Sequence, residues 1–233
     1  MRVLFFGNQK PVTSRCLTHL QTQDTVHVVP PEEIQAAAVC PPEHGIADDY
    51  DLVVSVLCRE KIPARLIRCG KVALNFHPAP LPALRGVGGI NVAILEGWTW
   101  FAVTCHHLVG TIDAGPIVAQ WAFDIDPACE TAQSLELITH GRLYDCFRSV
   151  IRRLRAGEML PAMPQSGAML GGSSMVRTIR RADLEVMRQV PATANPERIE
   201  RTSRAFWYPP HAGASIQGQP WTLVTPEMLK MLG

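Results

Sequence analysis

The chain has 233 residues, 47% of them hydrophobic and 18% charged, with a formal net charge of +1. That length and apolar content suit one sizeable core with a small appendix, and the near-neutral balance lacks the basic footprint of a nucleic-acid-binding surface. The seven cysteines, Cys16, Cys40, Cys58, Cys69, Cys105, Cys129 and Cys146, are odd in number and form no C-x-x-C pair. This argues against a disulfide framework or structural zinc and predicts a reduced, cytoplasmic setting.

The opening MRVLFFGNQK has an apolar run too short for a signal peptide and reads as a first strand, residues 3–6, closed by Gly7 and Asn8. A short helix is expected over 12–20 and a strand over 25–29, stopped by Pro30 and Pro31. Residues 32–50 are ambiguous. LVVSVL, residues 52–57, is a buried strand, and Pro63 opens a short helix to 67. Residues 72–76 form a fourth strand, 90–96 a helix after Gly88 and Gly89, and 101–108 and 116–123 two more strands. No stretch approaches the roughly 20 apolar residues needed to span a bilayer, so no membrane partner is expected.

Strands alternating with helices predict an α/β fold, a mostly parallel twisted sheet with helices on both faces. Ligands of such sheets bind beyond the carboxyl ends of the strands, here near residues 7–10, 57–60, 75–90 and 110–116. A long helix is expected over 131–156, with Leu135, Ile138, Leu143, Phe147, Val150, Ile151 and Leu154 near helical spacing. Residues 161–174, rich in Pro, Gly and Ser, read as a loop. This divides the chain into a catalytic domain, 1–160, and a C-terminal extension, 161–233. The extension offers a helix over 196–204 and β-like runs at 214–216 and 221–224, with QGQP favouring a hairpin between them. A lone hairpin is marginal in water and needs a partner surface.

The most informative segment is NFHPAPLP, residues 75–82, just after a predicted strand. Asn75 and His77, two apart on an extended chain, place their side chains on one side, and the prolines stiffen the loop. A second segment, IDAGPI, places Asp113 at the same rim. An amide and an imidazole can stabilise a developing oxyanion, while a carboxylate orders water and manages a proton. Taken singly, each residue also has a structural reading: a packed histidine, a capping asparagine, a turn aspartate. No G-x-S-x-G elbow is present, and Gly86, Gly88 and Gly89 do not fit G-x-G-x-x-G. His106 and His107, adjacent on a strand, point to opposite faces, so no metal site is expected.

NFHPAPLPALRG followed by VTCHHLVGTIDAGPIVAQ resembles the folate-dependent formyltransferase family. That family includes glycinamide ribonucleotide transformylase, methionyl-tRNA formyltransferase and the sugar-nucleotide N-formyltransferases. The resemblance implies a Rossmann-like formyltransferase fold, 10-formyltetrahydrofolate as co-substrate, and Asn75, His77 and Asp113 as the catalytic trio. DLVVSVLCREKIP, residues 51–63, resembles the strand and loop that hold the folate pterin. It implies a cofactor role for Leu57, Cys58, Arg59 and Ile62, with Asp113 beside them. Substrate-side candidates are Asn8 and Lys10 after the first strand, Arg85 and Gly86 after the proline loop, and His106.

RAFWYPPHAGA, residues 204–214, resembles the tail segment of the larger members. Chain length and charge disfavour tRNA, and FFGNQKP is poorer in glycine than the phosphate loop of glycinamide ribonucleotide transformylases. The short tail and VTCHH look most like the sugar N-formyltransferases. The expected acceptor is the primary amine of a nucleotide-linked amino-dideoxy sugar, carried on dTDP, in a homodimer joined through C-terminal elements. Two alternatives stand beside it: another small amine such as an ornithine derivative, or a folate-binding protein without catalysis.

Overall fold

The computed structural model describes residues 1–39, 49–165, 176–191, 193–210, 213–216 and 219–220. The first strands, β1 (Arg2–Gly7), β2 (Thr25–Val28), β3 (Tyr50–Val56) and β4 (Gly70–His77), lie in one sheet with β6 (Trp100–His107) and β7 (Ile117–Asp124). The spatial order is β2-β1-β3-β4-β6-β7. The β1–β2, β1–β3 and β3–β4 pairs are parallel, whereas β6 runs antiparallel to β4, and β7 antiparallel to β6. The order reverses direction at β1, and the strand ends there open toward the loops carrying Asn8, Leu57 and His77.

Period-two alternation sorts the strand residues between the faces. Val3 and Phe5, Leu52 and Val54, Leu74 and Phe76, and Val103 and Cys105 pack under α1 (Pro11–Gln21) and α5 (Ala132–Arg155). Leu4, Phe6 and Val53 turn to the other face, toward Ile34 of α2 (Pro31–Val39) and Leu66 of α3 (Ala64–Ile67). Each fully buried Phe or Leu contributes roughly 1.5–3 kcal/mol. The two faces are matched to different helices, so a one-residue slip would send every such side chain into the packing of the opposite face.

Helix α5 begins at a reciprocal cap: the Thr131 side chain accepts from Ser134 N at 3.1 Å, and Ser134 Oγ accepts from Thr131 N at 2.9 Å. Its buried stripe is Leu135, Thr139, Leu143, Cys146, Phe147, Val150 and Ile151. Ile138, expected in that stripe, is 39% exposed. Thr139 takes the place facing the sheet, since about 100° per residue carries 135, 139, 143 and 146 along one line.

The proline loop leads into a short strand, β5 (Leu84–Gly86), and then α4 (Gly89–Leu95). From the C-terminal part come β8 (Arg177–Ile179), α6 (Arg181–Met187), β9 (Gln189–Val190), α7 (Pro196–Ala205), β10 (Ser215–Ile216) and β11 (Gln219–Pro220). β8 pairs in parallel with β5, and α7 lies on α4. Ile179, Val190, Ala205, Phe206 and Ala214 share one apolar cluster with Leu84, Ala93, Phe101 and Leu135. Strands β10 and β11 form the expected hairpin, pairing Ser215 with Pro220 and Ile216 with Gln219, so half of QGQP is strand rather than turn. β9 supplies the partner that two short strands need, pairing in parallel with β10. The expected strand at 221–224 lies outside the described residues. The elements β5, β8, α6 and β9 are each too short to build a periodic pattern in the sequence.

Candidate active site

Asn75 and His77 occupy the end of β4, on the face opposite Leu74 and Phe76. The β4–β6 register sets Asn75 directly opposite His106, so a third polar side chain joins the same face. Asp113 arrives from the loop between β6 and β7 with φ +49, a left-handed backbone uncommon for a residue bearing a Cβ. Gly115 explains that turn. A Cβ there would lie 1.8 Å from the His107 carbonyl oxygen, so only glycine lets the chain fold back against β6.

The four polar side chains form one contiguous cluster. Asn75 Nδ2 is 3.0 Å from His106 Nε2 and donates to Asp113 Oδ1 at 3.3 Å. Asp113 Oδ2 accepts from the Gly86 N–H at 2.8 Å and lies 3.5 Å from His77 Nδ1, while its Oδ1 lies 3.5 Å from His106 Nε2. His77 Nε2 meets the Leu84 carbonyl at 2.9 Å, so that nitrogen carries a proton and donates. His106 Nδ1 meets the His107 carbonyl at 2.9 Å, which leaves its Nε2 to accept from Asn75.

Side-chain exposure is 6% for His77, 2% for His106 and 12% for Asp113, so these charges act in a poorly screened setting. Burial pushes the His77 imidazole below its ordinary value of 6.5; the Asp113 carboxylate offsets this only in part. At 3.5 Å that carboxylate is too distant for a good hydrogen bond to Nδ1. Burial would push the Asp113 carboxyl up. The adjacent His77, the contact with His106 and the Gly86 N–H together outweigh it and hold the group well below the usual carboxylate range.

The loop around these groups is held stiffly. Thr104 Oγ1 donates to the Ala79 carbonyl at 2.8 Å, and Gln120 Nε2 bridges the Leu81 carbonyl at 2.8 Å and Thr104 at 3.0 Å. Gln165 Nε2 donates to the carbonyls of Asp113 and Gly115 at 2.8 and 2.7 Å, and its Oε1 accepts from Arg85 at 2.7 and 3.1 Å. Gln165 and the Gly86 N–H contact leave no local signal in the chain, because both depend on loops 52 and 27 residues apart.

The remaining candidates are distributed as follows. Leu57, with φ +53, turns the chain out of β3 beside the cluster, since Ser55 pairs with Asn75. Cys58 is half-buried with its thiol pushed up to about 12 by burial, Arg59 is exposed and Ile62 is buried. Asn8 Oδ1 accepts from Lys10 N and Thr13 Oγ1, both at 2.9 Å, and so shapes the first turn of α1. The Lys10 ammonium is engaged by Glu136 at 3.1 Å and by Tyr208 Oη at 2.8 Å. Arg85 and Gly86 border the cluster through Gln165 and Asp113, and His106 lies inside it. Phe206 is buried in the apolar cluster of the C-terminal part, and the Gln133 N–H donates to the Trp207 carbonyl at 3.1 Å, so this aromatic run packs the segment onto α5.

A mostly parallel α/β sheet with an Asn–His–Asp cluster at its carboxyl edge defines a class of folds that take ligands in that crevice. Residues 3–150 match the family model described as formyl transferase, and the chain belongs to that family. Methionyl-tRNA formyltransferase of Chloroflexus aurantiacus is 32% identical over 152 residues, 65% of this chain and 46% of that protein. The chain thus spans about half the length of the curated relatives it matches. A 4-N formyltransferase from Francisella tularensis has a TM-score of 0.75 at 16% identity, covering 96% of both chains. An N-formyltransferase from Helicobacter canadensis, solved with folinic acid and dTDP-3-aminofucose, has a TM-score of 0.72 at 17% identity, covering 92% of this chain and 84% of its own. At these identities the two structures establish a shared fold.

Proposed function

We propose that this protein transfers a formyl group from 10-formyltetrahydrofolate to the primary amine of a nucleotide-linked amino-dideoxy sugar. The observation that carries the reading is the convergence of Asn75, His77, His106 and Asp113 in one cluster at the end of β4, the histidines buried and the other two half-buried. The residues present fit a folate. The Leu57–Ile62 loop leaves the sheet beside Asn75, with Ile62 buried and Leu57 half-buried to back a flat heterocycle and backbone groups to meet its edge. The folate supplies an activated formyl carbon.

In this mechanism the neutral amine attacks the formyl carbon, forming the new N–C bond as the bond from that carbon to the folate N10 breaks. Asn75 Nδ2 turns the hydrogen it shares with Asp113 Oδ1 across 3.3 Å to the formyl oxygen as charge develops there, and His77, whose Nε2–H is held by the Leu84 carbonyl, supports that charge when its Nδ1 also carries a proton. Asp113, held ionised, takes the proton lost by the amine, which ends on N10 of the departing tetrahydrofolate. The group thus moves with no enzyme-bound acyl intermediate.

Support for a sugar-nucleotide acceptor is the match of both the sheet and the C-terminal segment to solved N-formyltransferases along nearly their whole length, one of them holding dTDP-3-aminofucose. The proposed assembly is a homodimer through the C-terminal hairpin, and the proposed setting is the cytoplasm; light scattering tests the first. The methionyl-tRNA formyltransferases among the curated relatives favour a second reading, with an aminoacyl-tRNA amine as acceptor. Release of tetrahydrofolate, followed with dTDP- and UDP-linked amino sugars, methionyl-tRNA and ornithine, separates these. Turnover with a sugar nucleotide alone supports the proposal. Turnover with only another amine transfers the assignment to it, and folate binding with no turnover on any amine defeats the enzyme reading.

A further inference from the structure

The segment that follows α5 leaves the helix and runs back along the site. Pro161, Met163 and Gln165 make contacts at every second residue, to the end of β6, the start of β7 and the Asp113 turn. The Pro161 carbonyl meets His107 Nε2 at 3.2 Å, Met163 pairs with Ile117 through N–H···O bonds of 2.9 and 2.7 Å, and Gln165 reaches the Asp113 turn. A spacing of two is that of an extended chain, so the segment behaves as a short strand laid on the edge of β7 and projects Gln165 toward the catalytic loops.

The single amide of Gln165 satisfies groups on two separate loops. Its Nε2 donates to the Asp113 and Gly115 carbonyls at 2.8 and 2.7 Å, and its Oε1 accepts from Arg85 Nε and Nη2 at 3.1 and 2.7 Å. The residue after Arg85, Gly86, donates its N–H to the Asp113 carboxylate at 2.8 Å. One side chain therefore bridges the backbone of Asp113 to the strand that also grips its carboxylate. The turn it holds contains the positive φ of Asp113, a conformation that lasts only where the surroundings impose it.

We infer that Gln165 is a positioning residue: its amide locks the 113–115 turn against the 84–86 strand and thereby aims the Asp113 carboxylate at His77, His106 and Asn75. It touches no reacting atom. The inference rests on the proposed formyl transfer for its kinetic consequence, but the geometry it asserts is readable without turnover.

The test uses the full chain and the variants Gln165→Ala and Gln165→Glu. Glutamate retains oxygens for Arg85 and removes both N–H donors, so it isolates the hold on the turn. The ring nitrogen resonances of His77 and His106, followed by NMR of 15N-histidine protein across pH, are expected to move in both variants. With a reactive amine, kcat is expected to fall about 10- to 100-fold while KM changes by less than about threefold, as for a misplaced catalytic group. The acidic limb of kcat is expected to move to higher pH, because a swung Asp113 loses the donors that keep it ionised. Histidine spectra that superimpose on wild type, a Gln165→Glu enzyme as active as wild type, or a lower kcat with an unmoved acidic limb would each overturn the inference. A wild-type protein inert toward every amine, with histidine resonances that still move in the variants, defeats the enzyme reading and leaves the positioning role standing.

Discussion

Asn75 and His106 face each other across the antiparallel β4–β6 pair, with Asn75 Nδ2 3.0 Å from His106 Nε2. In the tautomer of His106 that donates through Nδ1 to its neighbour's carbonyl, Nε2 accepts from the amide. The Asn75 side chain is therefore held in one orientation, with its amino group directed to His106 and Asp113 and its amide plane fixed relative to His77. A donor fixed in this way has only to turn its long 3.3 Å hydrogen bond from Asp113 when charge appears next to it, so little reorganisation is needed.

Replacing this donor should be costly to the chemistry and cheap to the fold. Asn75→Ala is expected to lower kcat about 10²- to 10³-fold, and Asp113→Ala about 10²- to 10⁴-fold through loss of the proton acceptor. Single-turnover kinetics with saturating folate donor measure both, and near-normal rates in either variant remove that residue from the mechanism.

Stability should fall on the acid side, and His77 makes the first contribution. Its native pKa lies below its ordinary value of 6.5, so the unfolded chain binds a proton that the native chain refuses. As pH drops through 6.5 the unfolded state gains, and stability declines until the lower native pKa is passed. Asp113, depressed from an ordinary 3.8, adds stability that is complete above that value and is lost as pH falls further. Thermal melts of wild type and His77→Gln between pH 7.5 and 5 (~0.5-unit steps) should show a flatter profile in the variant. Parallel profiles would place the acid sensitivity elsewhere.

The two glycines flanking Asp113 separate local fit from mere turn propensity. Gly115→Ala would push a Cβ to 1.8 Å from the His107 carbonyl, whereas a Cβ on Gly110 meets nothing within 4 Å. Gly115→Ala should destabilise by about 1–3 kcal/mol or more, lowering Tm by about 2–4 °C per kcal/mol. Gly110→Ala should stay within about 0.5 kcal/mol of wild type. Denaturant titration of the two variants decides the matter, and equal effects would contradict the close approach.

Under the sheet, Phe147 of α5 packs edge-on against Phe76 of β4, with ring centroids 5.0 Å apart and both fully buried. Phe147→Ala is expected to destabilise by about 3–5 kcal/mol. Phe76 lies between Asn75 and His77, so the cavity should also reduce kcat in the fraction that remains folded. A variant with unchanged Tm would mean that α5 does not brace β4.

Much of this architecture could be read from residue order. The apolar runs of β1, β3, β4, β6 and β7 and the long stripe of α5 carry enough repeats to reveal their period. The shared face of Asn75 and His77 follows from alternation along a single strand. Ile138 shares the helical spacing of the stripe yet is exposed, because neighbouring positions on a helix differ by about a hundred degrees and spacing alone does not fix the centre of the buried stripe. Strands of two or three residues such as β8 and β9 have no period to detect, and exist only because β5 and β10 lie ready to pair with them.

The sequence by itself determined the alternating strand–helix order, the family, and the residue types presented at the end of β4 and in the D-A-G turn, since these are written in local spacing. Tertiary structure alone decided that His106 belongs with Asn75, that the Gly86 N–H meets Asp113, and that Gln165 joins Asp113 to Arg85. Those contacts span separations of 27 to 80 residues. They are set by strand register and loop closure, which arise from how the whole core packs and leave no trace in any short stretch of chain.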